Sequence, residues 1–207
     1  MIELNDITFG YQDREQVLDN FQFQMREGER IGLVGPNGRG KTTIFKIIMG
    51  LLKPQNGEVI IFDKKRQTKE DFLDVRERVG YLFQDSDNQL FCPTVEEDIA
   101  FGPLNLGKSR EEALVIVQKT LELVGMEGYE KKTTFNLSQG EKKIISFAGV
   151  LAMKPELLLL DEPFASLDKE AVEMIISILN KISQPFIIVS HNQELLERVI
   201  TRYHHMG

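Results

Sequence analysis

The sequence predicts an α/β fold in which a mainly parallel sheet is wrapped by helices. Three observations predict it. A glycine-rich loop, GPNGRGKTT at Gly35–Thr43, stands between a short apolar stretch and an amphipathic one. A second apolar run, Leu157–Leu160, ends in the paired acids Asp161 and Glu162. From there onward, strand-length apolar runs alternate with helix-length amphipathic segments, the pattern of strands joined by helical crossovers.

The elements follow in order. Glu3–Tyr11 and Val17–Met25 alternate in polarity and read as strands, and Arg30–Val34 is a short apolar strand. The loop then opens a helix over Thr42–Leu51, with Ile44, Ile47 and Ile48 on one apolar face. Gly57–Phe62 and Val79–Phe83 are further strands. Thr94–Val124 is helical, broken at Pro103 and Gly107 and restarted by Ser109-Arg110-Glu111-Glu112. A helix over Gly140–Met153 precedes the strand Leu157–Leu160. The helix Lys169–Ile182, strand Phe186–Ser190 and helix Gln193–Val199 complete the alternation. The layout is an α/β core with a mainly helical insert near residues 84–150.

The 207 residues suit one domain with a real core, and 42% hydrophobic with 28% charged residues is ordinary for a globular chain. A net charge of −7 argues against a general nucleic-acid binder, so no nucleic-acid partner is expected. The single cysteine, Cys92, forms no internal disulfide and reads as structural, which fits a reducing compartment. Ile2–Gly10, interrupted by Glu3, Asn5 and Asp6, does not read as a signal peptide. No apolar run approaches the roughly twenty residues needed to span a bilayer. A membrane role would therefore need a partner to hold the chain there.

The glycine-rich loop is a phosphate site. Gly35, Gly38 and Gly40 let successive backbone amides of Gly35-Pro36-Asn37-Gly38-Arg39-Gly40 curl toward an anion, and Lys41 neutralises the β- and γ-phosphates. Thr42 offers a hydroxyl to Mg²⁺, Thr43 continues the helix whose positive end faces the phosphates, and Arg39 points outward. Asp161 and Glu162 end a strand where a parallel sheet presents side chains to ligands. Asp161 is expected to hold Mg²⁺ and Glu162 to polarise the attacking water. The expected cofactors are ATP and Mg²⁺.

Leu137-Ser138-Gln139-Gly140-Glu141 is a second anion-binding edge. A helix starting near Ser138 presents that hydroxyl and the Gly140 amide to an anion, yet the phosphate loop already surrounds its own phosphates. The edge therefore suits a nucleotide held by another subunit. Locally it also reads as a capped helix start, with Ser138 as N-cap and Glu141 as its capping-box partner. The two readings do not compete.

With these motifs in this order, the sequence resembles the ATP-binding subunits of ABC transporters over almost its whole length. The resemblance implies a P-loop NTPase core with a mainly parallel sheet, an N-terminal antiparallel β subdomain and a helical signature subdomain near 85–150, all in one domain over 1–207. It implies head-to-tail dimers, with the same chain or a related one, in which Ser138, Gln139, Gly140 and Glu141 complete the partner's site and Asp168 crosses the interface. It implies that Gln84 touches Mg²⁺ and water, that His191 supports the γ-phosphate and water, and that Tyr11 faces adenine. Gln139 and Glu141 depart from the common LSGGQ pattern. GYLFQDSDNQLFCPTVEEDIAFGPLNLG, at Gly80–Gly107, together with AGVLAMKPE at Ala148–Glu156, is similar to the energy-coupling-factor branch, especially its cobalt and nickel systems. That branch implies docking of an integral membrane scaffold near Gln89, Leu90 and Phe91, at the cytoplasmic face of the membrane. The family usually adds strands after the histidine, whereas this sequence ends in His204-His205-Met206-Gly207, which reads as a partly exposed strand end rather than a metal site. A soluble ABC-type ATPase of DNA repair or translation is the alternative, although it would usually carry a coiled-coil insertion or two fused nucleotide domains. A non-hydrolytic adaptor is a third reading, opposed by Lys41, Asp161, Glu162 and His191.

Overall fold

The computed structural model describes residues 1–11 and 16–206. In chain order its elements are β1 (Ile2–Gly10), β2 (Gln16–Met25), β3 (Arg30–Val34), α1 (Lys41–Ile48), β4 (Asn56–Ile61), β5 (Lys64–Lys65), α2 (Leu73–Arg78) and β6 (Val79–Leu82). They continue as α3 (Val95–Asn105), α4 (Arg110–Val124), α5 (Gln139–Ala152), β7 (Leu157–Asp161), α6 (Lys169–Lys181), β8 (Phe186–Val189), α7 (Gln193–Glu197) and β9 (Arg202–His205). The strands form a five-stranded sheet in the order β6-β7-β8-β3-β9 and a four-stranded sheet in the order β2-β1-β4-β5. Every pairing in the first is parallel and every pairing in the second antiparallel.

The alternation of side chains along a strand divides the core in two. Leu157 and Leu159 of β7 face one side with Ile31, Leu33, Ile187 and Val189, and there they meet α1 and the antiparallel sheet. Leu158 and Leu160 face the other side, against residues of α3, α4, α5 and α6. With both faces covered, β7 is apolar from Leu157 to Leu160 and is buried from end to end, Asp161 included. In β1 the buried residues change parity, from Ile2 and Leu4 to Ile7 and Phe9. A register shift between Leu4 and Ile7, with Asp6 at φ 53°, absorbs that change and keeps both pairs in the core.

Side-chain caps set the starts of the later helices. Capping boxes are complete at Thr94/Glu97, Ser109/Glu112 and Ser138/Glu141, and Asp168 and Asn192 cap α6 and α7. The sequence expectation of a break at Pro103 is corrected. Pro103 lies buried within α3, which runs on to Asn105. Proline there withholds the N–H that would bond the Ile99 carbonyl but does not end the helix, and the chain leaves it at Gly107, φ 82°. Residues 63–78, to which the sequence reading assigned no element, contain β5 and α2, held by Arg66. Its guanidinium is buried on the carbonyls of Ile61 and Asp71 and paired with Asp74.

Because β3, β6, β7 and β8 run parallel, their carboxyl ends emerge along one edge. That edge receives Gly35–Gly40 after β3, Gln84 after β6, Asp161 and Glu162 at the end of β7, and His191 after β8.

Candidate functional site

The phosphate loop is shaped by backbone that a larger residue would not adopt. Gly38 and Gly40 have φ 79° and 86°, and a Cβ on Gly40 would lie 2.7 Å from Val17 and 2.9 Å from Leu18. Gly40 therefore also lets β2 pack against the start of α1. Lys41 is buried, and its Nζ donates to the carbonyls of Gly35 at 2.8 Å and Pro36 at 2.9 Å. Those bonds hold the ammonium across the mouth of the loop, where a phosphate can take them over.

A cleft of about 920 Å³ gathers the expected site residues. Asn37, Gly38, Arg39, Gly40, Lys41, Thr42 and Thr43 line it from the loop side, Asp161, Glu162, Gln84 and His191 from the strand ends, and Tyr11 from the rim. Gly35 and Pro36 stand behind this wall and contribute the carbonyls that hold Lys41. Arg39 is exposed. Tyr11 is 37% exposed, packs edge-on to Phe9 and shares a 3.2 Å hydrogen bond with the Thr43 hydroxyl.

Two buried acids form the floor. Burial raises the pKa of Asp161, and its neighbours Thr42 and Tyr81 pull it partly back. The Tyr81 hydroxyl donates to Asp161 Oδ2 at 3.2 Å, while Oδ1 is buried with no hydrogen-bond partner among the described residues. A buried carboxylate oxygen without a donor, beside a threonine hydroxyl and open to phosphate oxygens, matches the all-oxygen ligand set of Mg²⁺. Glu162 is 7% exposed and sits at φ 47°, a left-handed backbone that a non-glycine residue rarely takes. Its amide donates to Val189 O at 2.9 Å, which ties that backbone to the neighbouring strand. Burial raises the Glu162 pKa and His191 opposes the rise. His191 Nε2 lies 3.2 Å from Glu162 Oε1 without the alignment of a hydrogen bond, so the contact is electrostatic. A buried carboxylate with a raised pKa, facing a phosphate cradle, is the arrangement a water-activating base requires.

Ser138, Gln139, Gly140 and Glu141 do not line this cleft. Ser138 Oγ accepts from the Glu141 amide at 3.3 Å, and Glu141 Oε2 accepts from the Ser138 amide at 2.8 Å. Glu141 Oε1 accepts from the Tyr129 hydroxyl at 2.6 Å. Tyr129 and the Ser138 amide together hold the Glu141 carboxyl down at about 2. Asp168 is likewise engaged, accepting from the Ala171 amide at 2.8 Å. The capped-helix reading of this edge is thus present in the free chain.

Of Gln89, Leu90 and Phe91, the structure turns only Phe91 to solvent. Leu90 is 8% exposed and packs in the core, and Gln89 folds back, donating to Tyr81 O at 3.1 Å and accepting from the Phe83 amide at 2.9 Å. Phe91 joins Phe101 edge-to-face, centroids 4.7 Å apart, over an apolar groove that also includes Met49, Leu51 and Met153.

The sequence reading did not single out Tyr81 or Lys143. Tyr81 offered no signal beyond its place in a strand. Lys143 did, as a charge on the face it shares with Phe147 and Val150 at helical spacing, where an apolar residue is the rule.

Comparisons with known proteins show the family and the fold. The model of the ABC transporter family matches residues 18–165. The chain is 45% identical over 206 residues to the energy-coupling factor transporter ATP-binding protein EcfA of Methanothermobacter thermautotrophicus, covering 98% of this chain and 66% of that protein. It is 44% identical over 200 residues to EcfA of Methanocaldococcus jannaschii, covering 95% of this chain and 72% of that one. The structure superposes on cbiO1 of Clostridium perfringens, part of the ABC transporter complex cbiONQ, with TM-score 0.89 at 32% identity, over 100% of this chain and 84% of that one. It also superposes on the dimeric post-hydrolysis state of the ATP-binding cassette MJ0796 bound to ADP and Pi, with TM-score 0.91 at 26% identity, over 100% and 94%.

Proposed function

This chain belongs to the ABC transporter family of ATP-binding proteins, and from that premise we propose that it is the ATP-hydrolysing subunit of a membrane importer of the energy-coupling-factor type. The observation that carries the proposal is the single cleft in which Lys41, Thr42, Gln84, Asp161, Glu162 and His191 converge. ATP lies with adenine against Tyr11 and its phosphates on the amides of Asn37–Thr43. Lys41 leaves the carbonyls of Gly35 and Pro36 to bridge the β- and γ-phosphates. Thr42, Asp161 and Gln84 would hold Mg²⁺, which would supply neutralisation of the charge on the transferring group. Glu162 takes the proton of the attacking water, and His191 steadies Glu162 and the γ-phosphate.

One chain encloses its phosphates on one side only. The other side is closed by a second ATPase subunit, the same chain or a relative, through its Ser138, Gln139, Gly140 and Glu141, with Asp168 at the seam. The dimeric form of the MJ0796 cassette supports this arrangement. No helix among the described residues is long and apolar enough to cross a membrane, so attachment to the cytoplasmic face comes from an integral scaffold. We place its docking on the groove under Phe91 and Phe101. The cargo we propose is a micronutrient, cobalt or nickel foremost, on the likeness of Gly80–Gly107 to those systems.

The experiment is Mg-ATP turnover and sizing of the wild type and Glu162→Gln. The variant is expected to lose at least about a hundredfold in kcat and to accumulate as an ATP-bound dimer. Full hydrolysis by the variant would remove the assignment. Gentle extraction of the tagged chain from its own membranes tests the rest. Co-purification of a helical scaffold with a cargo-binding subunit supports the importer, and soluble partners alone overturn it.

A further inference from the structure

A buried lysine that the mechanism above leaves unused reaches toward the cleft from α5. Lys143 is 3% exposed, and among the described residues its ammonium donates only to two consecutive backbone carbonyls, Phe83 O at 3.1 Å and Gln84 O at 2.5 Å. Burial opposes its charge, and the fields of Asp85, Asp161 and Glu162 favour it. An ammonium kept in the interior is costly, and an apolar side chain would fill the same space more cheaply. The place of Lys143 is therefore accounted for by what its charge holds.

What it holds is the hinge of Gln84. Peptide units are planar, so pinning the carbonyls of Phe83 and Gln84 fixes two successive planes and with them the direction in which the Gln84 side chain leaves the backbone. That side chain lines the phosphate cleft. Upstream, Gln89 already fixes Tyr81 O and the Phe83 amide, leaving the Gln84 peptide to Lys143. The neighbouring Lys142 grips the same loop further on, through Asp87 at 2.6 Å. Both lysines stand within two helical turns of Ser138, on the helix that opens the signature edge.

We propose that Lys143 is a positioning residue for Gln84. It holds Gln84 at the Mg²⁺ and water side of the cleft and makes that position depend on the placement of α5. The proposal rests on the ATPase reading given above. It implies that any shift of α5 on engagement of the signature edge by a partner's nucleotide is felt by Gln84 in this chain's own site.

The test is a double-mutant cycle on the purified protein with Lys143→Met, Gln84→Ala and the pair, and Lys143→Arg as the conservative variant. Lys143→Met is expected to lower kcat about tenfold with KM for Mg-ATP changed less than about twofold, and Lys143→Arg to recover most of the loss. In the Gln84→Ala background, Lys143→Met should cost less than about twofold, because the group it acts through is gone. A full multiplicative loss in that background, or an unchanged kcat in Lys143→Met, would overturn the proposal. If Lys143→Met does not melt as a folded protein, Lys143→Gln, which keeps an N–H donor without the charge, enters the same cycle with the same criteria. If the wild type hydrolyses no Mg-ATP, the ATPase reading fails by itself. The link is then read from the Mg²⁺-dependent tightening of trinitrophenyl-ATP binding across the same variants, where non-additivity supports it and additivity sinks it.

Discussion

The phosphate cleft and the signature edge are both proposed to meet an anion, and the free chain treats them in opposite ways. In the cleft the polar groups are left wanting. Asp161 Oδ1 is buried without a donor, Glu162 keeps a left-handed backbone and a raised pKa, and Lys41 rests on carbonyls it can leave. At the signature edge the side chains of Ser138 and Glu141 are occupied, each bonded to the other's amide, with Tyr129 on Glu141 and Asp168 capping α6. The lesson is one of where stability is stored. The proposed nucleotide cleft holds unsatisfied groups at a cost to the fold, whereas the edge proposed to meet a second subunit is first of all a stable helix start.

Substitutions should separate the two regions. The largest effect is expected in the cleft, where Asp161→Asn should lower Mg-ATP turnover by about a hundredfold while binding of Mg-free nucleotide and the melting temperature hold or rise, since a costly buried charge is removed. A large drop in melting temperature would break the contrast. At the signature edge Ser138→Ala should act on both quantities. Turnover should fall about tenfold if the hydroxyl serves the partner's phosphate, and stability should fall by about 1 kcal/mol through the lost cap.

The acids of the two regions should also respond to pH with opposite sign. Glu162 has a raised pKa in the fold, so its ionised form is the one the fold penalises. Activity should therefore fall, as pH is lowered, from above the ordinary glutamate value of 4.5, and the stability tied to this group should decline as pH rises through its raised pKa. Glu141 is held down at about 2, so its stabilisation is complete above 4.5 and is lost as pH falls from there through about 2. Turnover against pH, with melting curves of Glu162→Gln and Glu141→Gln alongside the wild type, checks both signs. The smallest effect is expected for Tyr129→Phe, which removes one hydroxyl from Glu141 and should cost about 1 kcal/mol, or roughly 2–4 °C in Tm, with turnover nearly unchanged. Loss of turnover without loss of stability would make Tyr129 part of the partner's site.

The sequence carried a good deal of both fold and site. The phosphate loop, the acids after Leu157–Leu160 and the capped start at Ser138 each lie within a few consecutive residues, where backbone geometry and hydrogen-bonding type are local properties. The alternation after Leu157 pointed to a parallel sheet because apolar strands joined by helical crossovers pair in parallel with both faces covered. The inward turn of Gln89 and Leu90 was not legible in that way. A short apolar stretch after a strand suits a docking face and a core equally, and the neighbours that decide between them come from elsewhere in the chain.

By itself, then, the sequence determined the phosphate loop and the acids proposed to meet its ligand, because contiguous motifs set their own geometry. Only the tertiary structure decided that Tyr81 reaches Asp161 across 80 positions, that His191 stands beside Glu162, and that Lys143 holds the Gln84 peptide from 59 positions away. Those contacts depend on the order of the strands and the packing of α5 against β6, which arise from the whole core at once.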